Sequence, residues 1–431
     1  MKDTILNTVK NLENSQWWPD EQIEQLQNYE LKRLIDFLYK NNKHFQTRLA
    51  KQNLTPDQIN SVEKLKQLQP IVKRDIQLAG DTFLSENVPH AHLPLGDVQS
   101  SGSTGEPVKL KKTVINNIFY YAMTIRDHQW YNRNLESKLA TVRYLHKMVE
   151  TDHWAGPASY LYKTGPAMGI PVTLDIQEQL ELLNKFQPNV LLAHAGVLTA
   201  FVTEWERTGL SLTELTHVRN IGDTVHDSLR QRVKALTNLD IEDAYSSSEV
   251  GTIAVQCPES GLYHLMSETL IVEVLDKDNN ACKEGEIGQV VVTDIYNTAS
   301  AVIRYNMGDY AEVGPRCTCG RHGVTLKRII GRERGLLTRA DGSRFWPSGL
   351  QYRMVDKFDV RQWQLIQHSL DDVEYRCVID QEPDDETKAK MAEIAGTLLG
   401  FPGKVRITWF PDHVPTKNGK FEESICLLKA K

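Results

Sequence analysis

Between residues 23 and 49 apolar side chains recur at Ile23, Leu26, Leu31, Leu34, Ile35, Leu38, Phe45 and Leu49. This spacing places them on one face of a helix, and Pro19-Asp20 supplies a start signal. The segment predicts an amphipathic helix packed on a core, with Trp17 and Trp18 packing in the same way. Further along, short apolar runs alternate with helical ones: 190–192 then 195–205, 218–221 then 227–236, and then 241–245. Strand-helix alternation of this kind predicts a layered α/β sheet, in which ligand sites fall in loops at the strand ends. Residues 270–275 and 289–293 are β-rich runs separated by a polar stretch, which predicts a hairpin or a small β-subdomain. Beyond Arg332 the order changes to strands at 364–368 and 375–379, a helix through Met391, Ile394 and Leu398 stopped by Gly400, and a strand at 404–409. This ββαβ piece predicts a small α+β domain. Without a repeat or a low-complexity linker, the boundary falls at a short hinge near Gly331, dividing the chain into 1–331 and 332–431.

Composition narrows the class of partner. The 431 residues carry a net charge of -6, with 40% hydrophobic and 25% charged side chains. That balance argues against a nucleic-acid or anionic-membrane surface and points to small molecules or proteins. The most apolar stretch, 190–202, contains His194 and is too short to span a bilayer. Residues 1–18 lack the apolar run of a signal peptide, so a cytoplasmic location is expected. Six cysteines are too few for a disulfide scaffold.

Three motifs carry chemistry. Ser100-Ser101-Gly102-Ser103-Thr104-Gly105-Glu106-Pro107 is a run of hydroxyls and glycines that can wrap phosphate oxygens with backbone N–H groups. It is not the Walker pattern, because no Lys-Ser/Thr follows at the required spacing; a flexible surface linker is the ordinary alternative. Tyr245-Ser246-Ser247-Ser248-Glu249 follows a predicted buried strand, and a carboxylate there suits a Mg²⁺ ion bridging nucleotide phosphates. The third element comprises Ile303-Arg304-Tyr305-Asn306-Met307-Gly308-Asp309, Gly331-Arg332, and Gly419-Lys420. Asp309 after a Gly turn can accept hydrogen bonds from ribose hydroxyls. Taken singly, Asp309 is also a turn residue, Arg332 a surface cation and Lys420 a solvated tail lysine.

In this order the motifs, together with Trp17-Trp18-Pro19-Asp20-Glu21 and Trp346-Pro347-Ser348, resemble the adenylate-forming superfamily of acyl-CoA synthetases and adenylation domains. Within it the chain resembles the phenylacetate-CoA ligase-like enzymes. The resemblance implies a large N-terminal adenylate-forming domain with layered α/β sheets and a β-subdomain, plus a small mobile C-terminal domain. It implies activation of a carboxylic acid, aromatic in many relatives, by ATP through an acyl-adenylate, and thioester formation with coenzyme A. Ser101, Gly102, Ser103, Thr104 and Gly105 would hold phosphates and Glu249 would ligate Mg²⁺. Tyr245, Ser246 and Ser248 would lie beside adenine and acid, Asp309 and Arg332 would fix the ribose, and Lys420 would bridge carboxylate and α-phosphate. His194, Gly222 and Asp223 are candidate acid-pocket positions with Tyr245 and Ser246. The chain departs from the family pattern at Arg334, where an acidic hinge residue is usual, at Ser246 for Gly, at Ser248 for Thr, and at Gln351. Transfer to a carrier-protein thiol is therefore an alternative to free coenzyme A, and a non-catalytic zinc-stabilised nucleotide-binding module is a second. A homodimer is the prior for such an enzyme.

Cys317-Thr318-Cys319 brings two thiols onto a tight turn, and Cys257 with His264 flanks a turn at Gly261. Three thiolates and an imidazole would complete a tetrahedral structural Zn²⁺ shell, with His322 as a competing fourth ligand and buried free thiols as the alternative. A deaminase-type catalytic zinc does not fit, because His264 lacks a His-x-Glu partner. Cys282, Cys377 and Cys426 stand apart as packing residues.

Overall fold

The apolar face expected over 23–49 is carried by two helices, Asp20–Asn41 and Lys43–Lys51. Asn42 divides them. Its backbone is extended, its Oδ1 accepts from Phe45 N–H at 2.9 Å, and its Nδ2 donates to Phe83 O at 2.9 Å, so it caps the second helix and ties it to the core. Leu31, Leu34, Ile35, Leu38, Phe45 and Leu49 are all buried in one cluster. A further helix, Lys2–Ser15, precedes these and buries Ile5, Val9 and Leu12 at helical spacing. The indoles do not pack as expected: Trp17 is half exposed and lies under the Arg321 guanidinium at 4.9 Å. The end of the first helix carries Trp17 to the surface, where its ring meets a cation instead of a core.

The computed structural model describes the chain apart from residues 100–108, 210, 223, 226, 322, 333–334, 343, 346, 348–349, 351–353, 355–356, 412–413, 416–421, 423 and 429–431. It divides into two compact units, one of residues 1–137, 152–166 and 242–330, the other of 138–151, 167–241 and 331–431. The first holds a seven-stranded sheet in the order Leu270–Leu275, Ile287–Asp294, Tyr305–Val313, Thr325–Arg332, Tyr263–Leu265, Gly251–Gln256 and Ala244–Ser247. The expected hairpin is its edge, with Leu270 opposite Asp294 and Leu275 opposite Gln289.

The second unit contains a six-stranded sheet with parallel pairing of Ala167–Pro171, Leu139–Arg143, Val190–Ala193 and His217–Asn220. Helices Ile176–Phe186, Ala195–Thr208 and Asp227–Thr237 alternate with its strands, and Leu198, Phe201 and Val202 pack with Leu191 and Ala193. The run expected as one strand at 241–245 is split: Ile241–Glu242 joins this sheet and Ala244–Ser247 the seven-stranded one. Asp243 makes the break, because its carboxylate accepts from Ala244 N–H at 2.9 Å and from the buried Tyr263 hydroxyl at 2.6 Å. The C-terminal segment forms a four-stranded sheet of Val405–Phe410, Val373–Val378, Gln362–Gln367 and Ser424–Cys426. Helix Asp385–Leu399, capped by Asp384 and by left-handed Gly400, covers one face through Met391, Ala395 and Leu399. Cys377 is buried in that core, whereas Cys282 and Cys426 are half-buried. Among the described residues no helix is long and apolar enough to cross a membrane.

Charge is buried where elements must be registered. Arg126 donates to Glu268 Oε1 at 2.7 Å and to Leu12 O at 2.6 Å, and Ser15 Oγ donates to the same Oε1 at 2.7 Å, which clamps the first helix onto the body. Replacing Arg126 by Ala leaves the Glu268 carboxylate buried without its partner. The expected cost is about 3–5 kcal/mol, read as an earlier first transition in urea.

Candidate nucleotide site and metal centre

Strand Ala244–Ser247 turns back on Gly251–Gln256, with Ser247 opposite Gly251. Gly251 takes φ +83°, and Ser247 Oγ accepts from Val250 N–H at 3.2 Å, which closes a tight turn around Ser248 and Glu249. Strand alternation sends Tyr245 inward and leaves Ser246 exposed; at the tip Ser248 is exposed and Glu249 half-buried. The Tyr245 hydroxyl donates to Asp309 Oδ2 at 2.6 Å, joining two motifs 64 residues apart. The Gly turn expected before Asp309 is instead a bulge inside strand Tyr305–Val313: Gly308 takes φ +72° where the pairing register shifts between Gln289 and Val291, and its N–H donates to Asn306 Oδ1 at 2.9 Å. A carboxylate oriented by a phenol is a ready acceptor for vicinal hydroxyls. Arg304, in the same motif, is not a site residue. It is 1% exposed, pairs with Glu273 through two bonds of 2.9 Å, and donates to Leu68 O at 2.7 Å, anchoring the strand that carries Asp309.

Ser101, Gly102, Ser103, Thr104, Gly105, Asp223 and Lys420 lie outside the described residues. The strands flanking the Ser/Gly loop, Gly96–Gln99 and Lys109–Lys112, pair antiparallel with Gln99 opposite Lys109. Arg332 is exposed at the end of Thr325–Arg332. In the second unit, His194 begins helix Ala195–Thr208 and sits beside Gly222, where an added Cβ would meet His194 Cε1 at 3.6 Å.

One buried carboxylate escaped the sequence reading. Asp294 ends an apolar strand and accepts from Asn116 Nδ2 at 2.9 Å; burial pushes its pKa up to about 6 despite the positive charge of Lys112. The available signal was a charged residue closing a strand read only for its hydrophobicity.

The four residues Cys257, His264, Cys317 and Cys319 come together, with their ligand atoms all within 4.8 Å of one another. The hairpin of Gly251–Gln256 and Tyr263–Leu265 supplies Cys257 and His264, and the loop entering Thr325–Arg332 folds over it because His264 lies opposite Thr325. Cys317 Sγ is 3.8 Å from Cys257 Sγ, and Cys319 Sγ is 3.4 Å from His264 Nε2. A tetrahedral ion with Zn–S of about 2.3 Å and Zn–N of about 2.0 Å would need edges of about 3.8 Å and about 3.5 Å, so the donor set fits zinc. Burial pushes the Cys319 thiol up to about 11, whereas at Cys257 the raising effect of burial is outweighed by hydrogen bonds from Ser260 and nearby amides. Arg321 follows at once, stacked between Trp17 at 4.9 Å and Trp130 at 4.3 Å. A cavity of about 420 Å³ opens beside this cluster, lined by Gln27, Arg126, Trp130, His264, Arg316 and Thr325, and not by Tyr245, Glu249 or Asp309.

No family model matches the chain. It is 24% identical over 335 residues to phenylacetate-coenzyme A ligase of Thermus thermophilus, covering 74% of this chain and 72% of that protein. It is 23% identical over 382 residues to protein CapK of Staphylococcus aureus, covering 84% and 79%. Among solved structures it matches 2-hydroxyisobutyryl-CoA ligase in the postadenylation state with 2-HIB-AMP, at a TM-score of 0.75 and 14% identity, covering 96% and 93% of the two chains. It also matches an anthranilate CoA ligase in complex with anthranoyl-AMP, at a TM-score of 0.56 and 12% identity, covering 84% and 73%. The chain therefore has the fold of the adenylate-forming ligases and is phenylacetate-CoA ligase-like in sequence.

Proposed function

We propose that this protein is an AMP-forming acid–thiol ligase, which activates a carboxylic acid with ATP and passes the acyl group to coenzyme A. The observation that carries the reading is the Tyr245–Asp309 hydrogen bond of 2.6 Å, which sets a ribose-competent carboxylate beside the hairpin that carries Glu249. The complexes of 2-hydroxyisobutyryl-CoA ligase and anthranilate CoA ligase with acyl-AMP support an acyl-adenylate intermediate, and the former's complex with coenzyme A supports the acceptor. An aromatic acid is the substrate class we favour, from the likeness to a phenylacetate ligase and to an anthranilate ligase.

The chemistry joins two anions. Carboxylate and triphosphate repel, so the protein's work is charge neutralisation and alignment rather than covalent catalysis. In this reading Ser101 to Gly105 cradle the β- and γ-phosphates, Glu249 holds Mg²⁺, and Asp309 with Arg332 binds the ribose. Ser246 and Ser248 flank adenine and acid, and His194, Gly222 and Asp223 complete the acid pocket. Lys420 brings its ammonium to the carboxylate and α-phosphate, and residues 332–431 pivot near Gly331 to withdraw it before the thiol enters. Cys257, His264, Cys317 and Cys319 hold a structural Zn²⁺, whose closed shell of four protein ligands leaves no position for substrate.

The decisive assay is release of pyrophosphate and AMP with a panel of aromatic and aliphatic acids, with and without coenzyme A. Acid-dependent AMP with thioester product is expected; ATP binding without turnover on any acid would refute the ligase reading. Lys420→Ala is expected to lower adenylation by at least about 100-fold while leaving thioester formation from supplied acyl-adenylate within about threefold. Tyr245→Phe removes one hydrogen bond to a carboxylate, and should raise KM for ATP by roughly tenfold, equivalent to about 1.5 kcal/mol. Elemental analysis should find one zinc per chain, lost in Cys257→Ser with a lower Tm; a metal-free wild type of equal Tm would remove the centre.

A further inference from the structure

The carboxylate of Asp309 is presented by an irregularity in its own strand. Pairing of Tyr305–Val313 with Ile287–Asp294 sets Tyr305 opposite Val292 and Asn306 opposite Val291, and resumes with Tyr310 opposite Gln289. Met307, Gly308 and Asp309 therefore stand where the partner strand has Val290 alone. Such a bulge re-aims the side chains it carries, and the ladder hydrogen bonds it gives up must be made elsewhere. Conformation rather than space calls for glycine here: Gly308 has φ +72°, yet an added Cβ would meet no atom within 4 Å.

One side chain bridges the bulge. Asn306 Oδ1 accepts from Gly308 N–H at 2.9 Å, which closes a local turn around Met307. Its Nδ2 donates to Gln289 Oε1 at 2.7 Å, and Gln289 Nε2 donates in turn to the Tyr310 hydroxyl at 3.0 Å. Gln289 and Tyr310 are the pair at which the ladder resumes. The Asn306 amide is thus tied to both ends of the irregularity, by its oxygen to the glycine that turns and by its nitrogen to the far side. Its backbone N–H is held as well, donating to Ile71 O at 2.8 Å. A reversed amide would set a donor against the Gly308 N–H, so the bonding admits one orientation.

Asp309 follows directly, and its Oδ2 accepts from the Tyr245 hydroxyl at 2.6 Å. Given the ribose reading of Asp309 above, on which this inference rests, recognition depends on where that carboxylate points. We infer that Asn306 is a positioning residue of the nucleotide site, holding the bulge at Gly308 in the shape that aims Asp309 at the ribose hydroxyls. Its contribution is to direction: a carboxylate displaced by about 1 Å forfeits its bonds to the hydroxyls while contacts to the phosphates and base survive.

Titration calorimetry of the full chain with the magnesium complexes of ATP and 2′,3′-dideoxyATP, beside thermal melting, tests the assignment. The dideoxy nucleotide lacks both hydroxyls, so the wild type should prefer ATP by at least about tenfold. Asn306→Ala should cut that preference at least about fivefold while leaving the dideoxy nucleotide within about twofold of wild type. Asn306→Asp keeps an acceptor for the Gly308 N–H. Its added charge acts on both nucleotides alike, so the preference should stay within about twofold of wild type. An unchanged preference in Asn306→Ala, equal weakening of both nucleotides, or a variant that does not fold would make Asn306 a merely structural residue and overturn the inference. A wild type that binds MgATP without preference, or not at all, fails differently: it overturns the ribose reading of Asp309, and this assignment with it.

Discussion

The hydrogen bond between Tyr245 and Asp309 is the constraint around which the candidate site is organised. Its two ends belong to strands that are not neighbours in the seven-stranded sheet, so the bond cannot arise from local sequence and exists only when the whole sheet is assembled. It also sets directions. Tyr245 points inward because the strand places alternate residues on opposite faces, which leaves Ser246 outward and brings Glu249 to the turn. Buried Arg304 anchors the start of the other strand, so Asp309 is held from both sides.

The same sheet ties this site to the metal cluster. Strand Gly251–Gln256 has the Ser248–Glu249 turn at one end and Cys257 just beyond the other. Six extended residues span about 20 Å, too far for a bound ion to act on the nucleotide electrostatically through screening solvent. The influence of an ion held there would be mechanical. Four ligands from two segments close the far end of the hairpin, and the loop that brings Cys317 and Cys319 continues into Arg321, clasped by Trp17 and Trp130. Asp20 accepts from Gly323 N–H at 2.9 Å and pairs with Arg316, so the metal loop is also stitched to the N-terminal helices.

Three clusters of buried charge in the first unit follow one logic. Arg126 with Glu268, Arg133 with Asp127 and Glu242, and Arg304 with Glu273 are each paired and hydrogen-bonded within the first unit. Such pairs add little net stability over apolar packing, but breaking one is severe, and so they select a single arrangement of the helices and strands. Among the described residues Arg48 is an exception, a buried cation that donates to the carbonyls of Ile303 at 2.7 Å and Gln69 at 2.5 Å and forms no ion pair with a carboxylate. In the C-terminal sheet the opposite extreme occurs at Glu374: burial would raise its pKa, but Arg376, His368 and Thr408 outweigh it and hold the carboxyl at about 2.

Local pattern was enough to read the strand-helix alternation, the hairpin beginning at Leu270, and the helix that ends at Gly400, because each depends on the period of side chains and on the conformations that Gly and Asp favour. Motif chemistry was enough to single out Tyr245 and Asp309, which the fold joins, and the Cys/His set, which it gathers, since the residue types themselves limit what they can bind. Pattern misled where a single polar side chain overrode it. Asn42 broke a continuous apolar helix by capping its second half, Asp243 divided one strand between two sheets, and Trp17 found a guanidinium at the surface. What the chain alone determined about this protein is therefore its kinds of element and its inventory of reactive groups. Which of those groups meet was decided by the tertiary structure: Tyr245 with Asp309 and Cys257 with Cys317 depend on contacts between distant segments, for which periodicity carries no information.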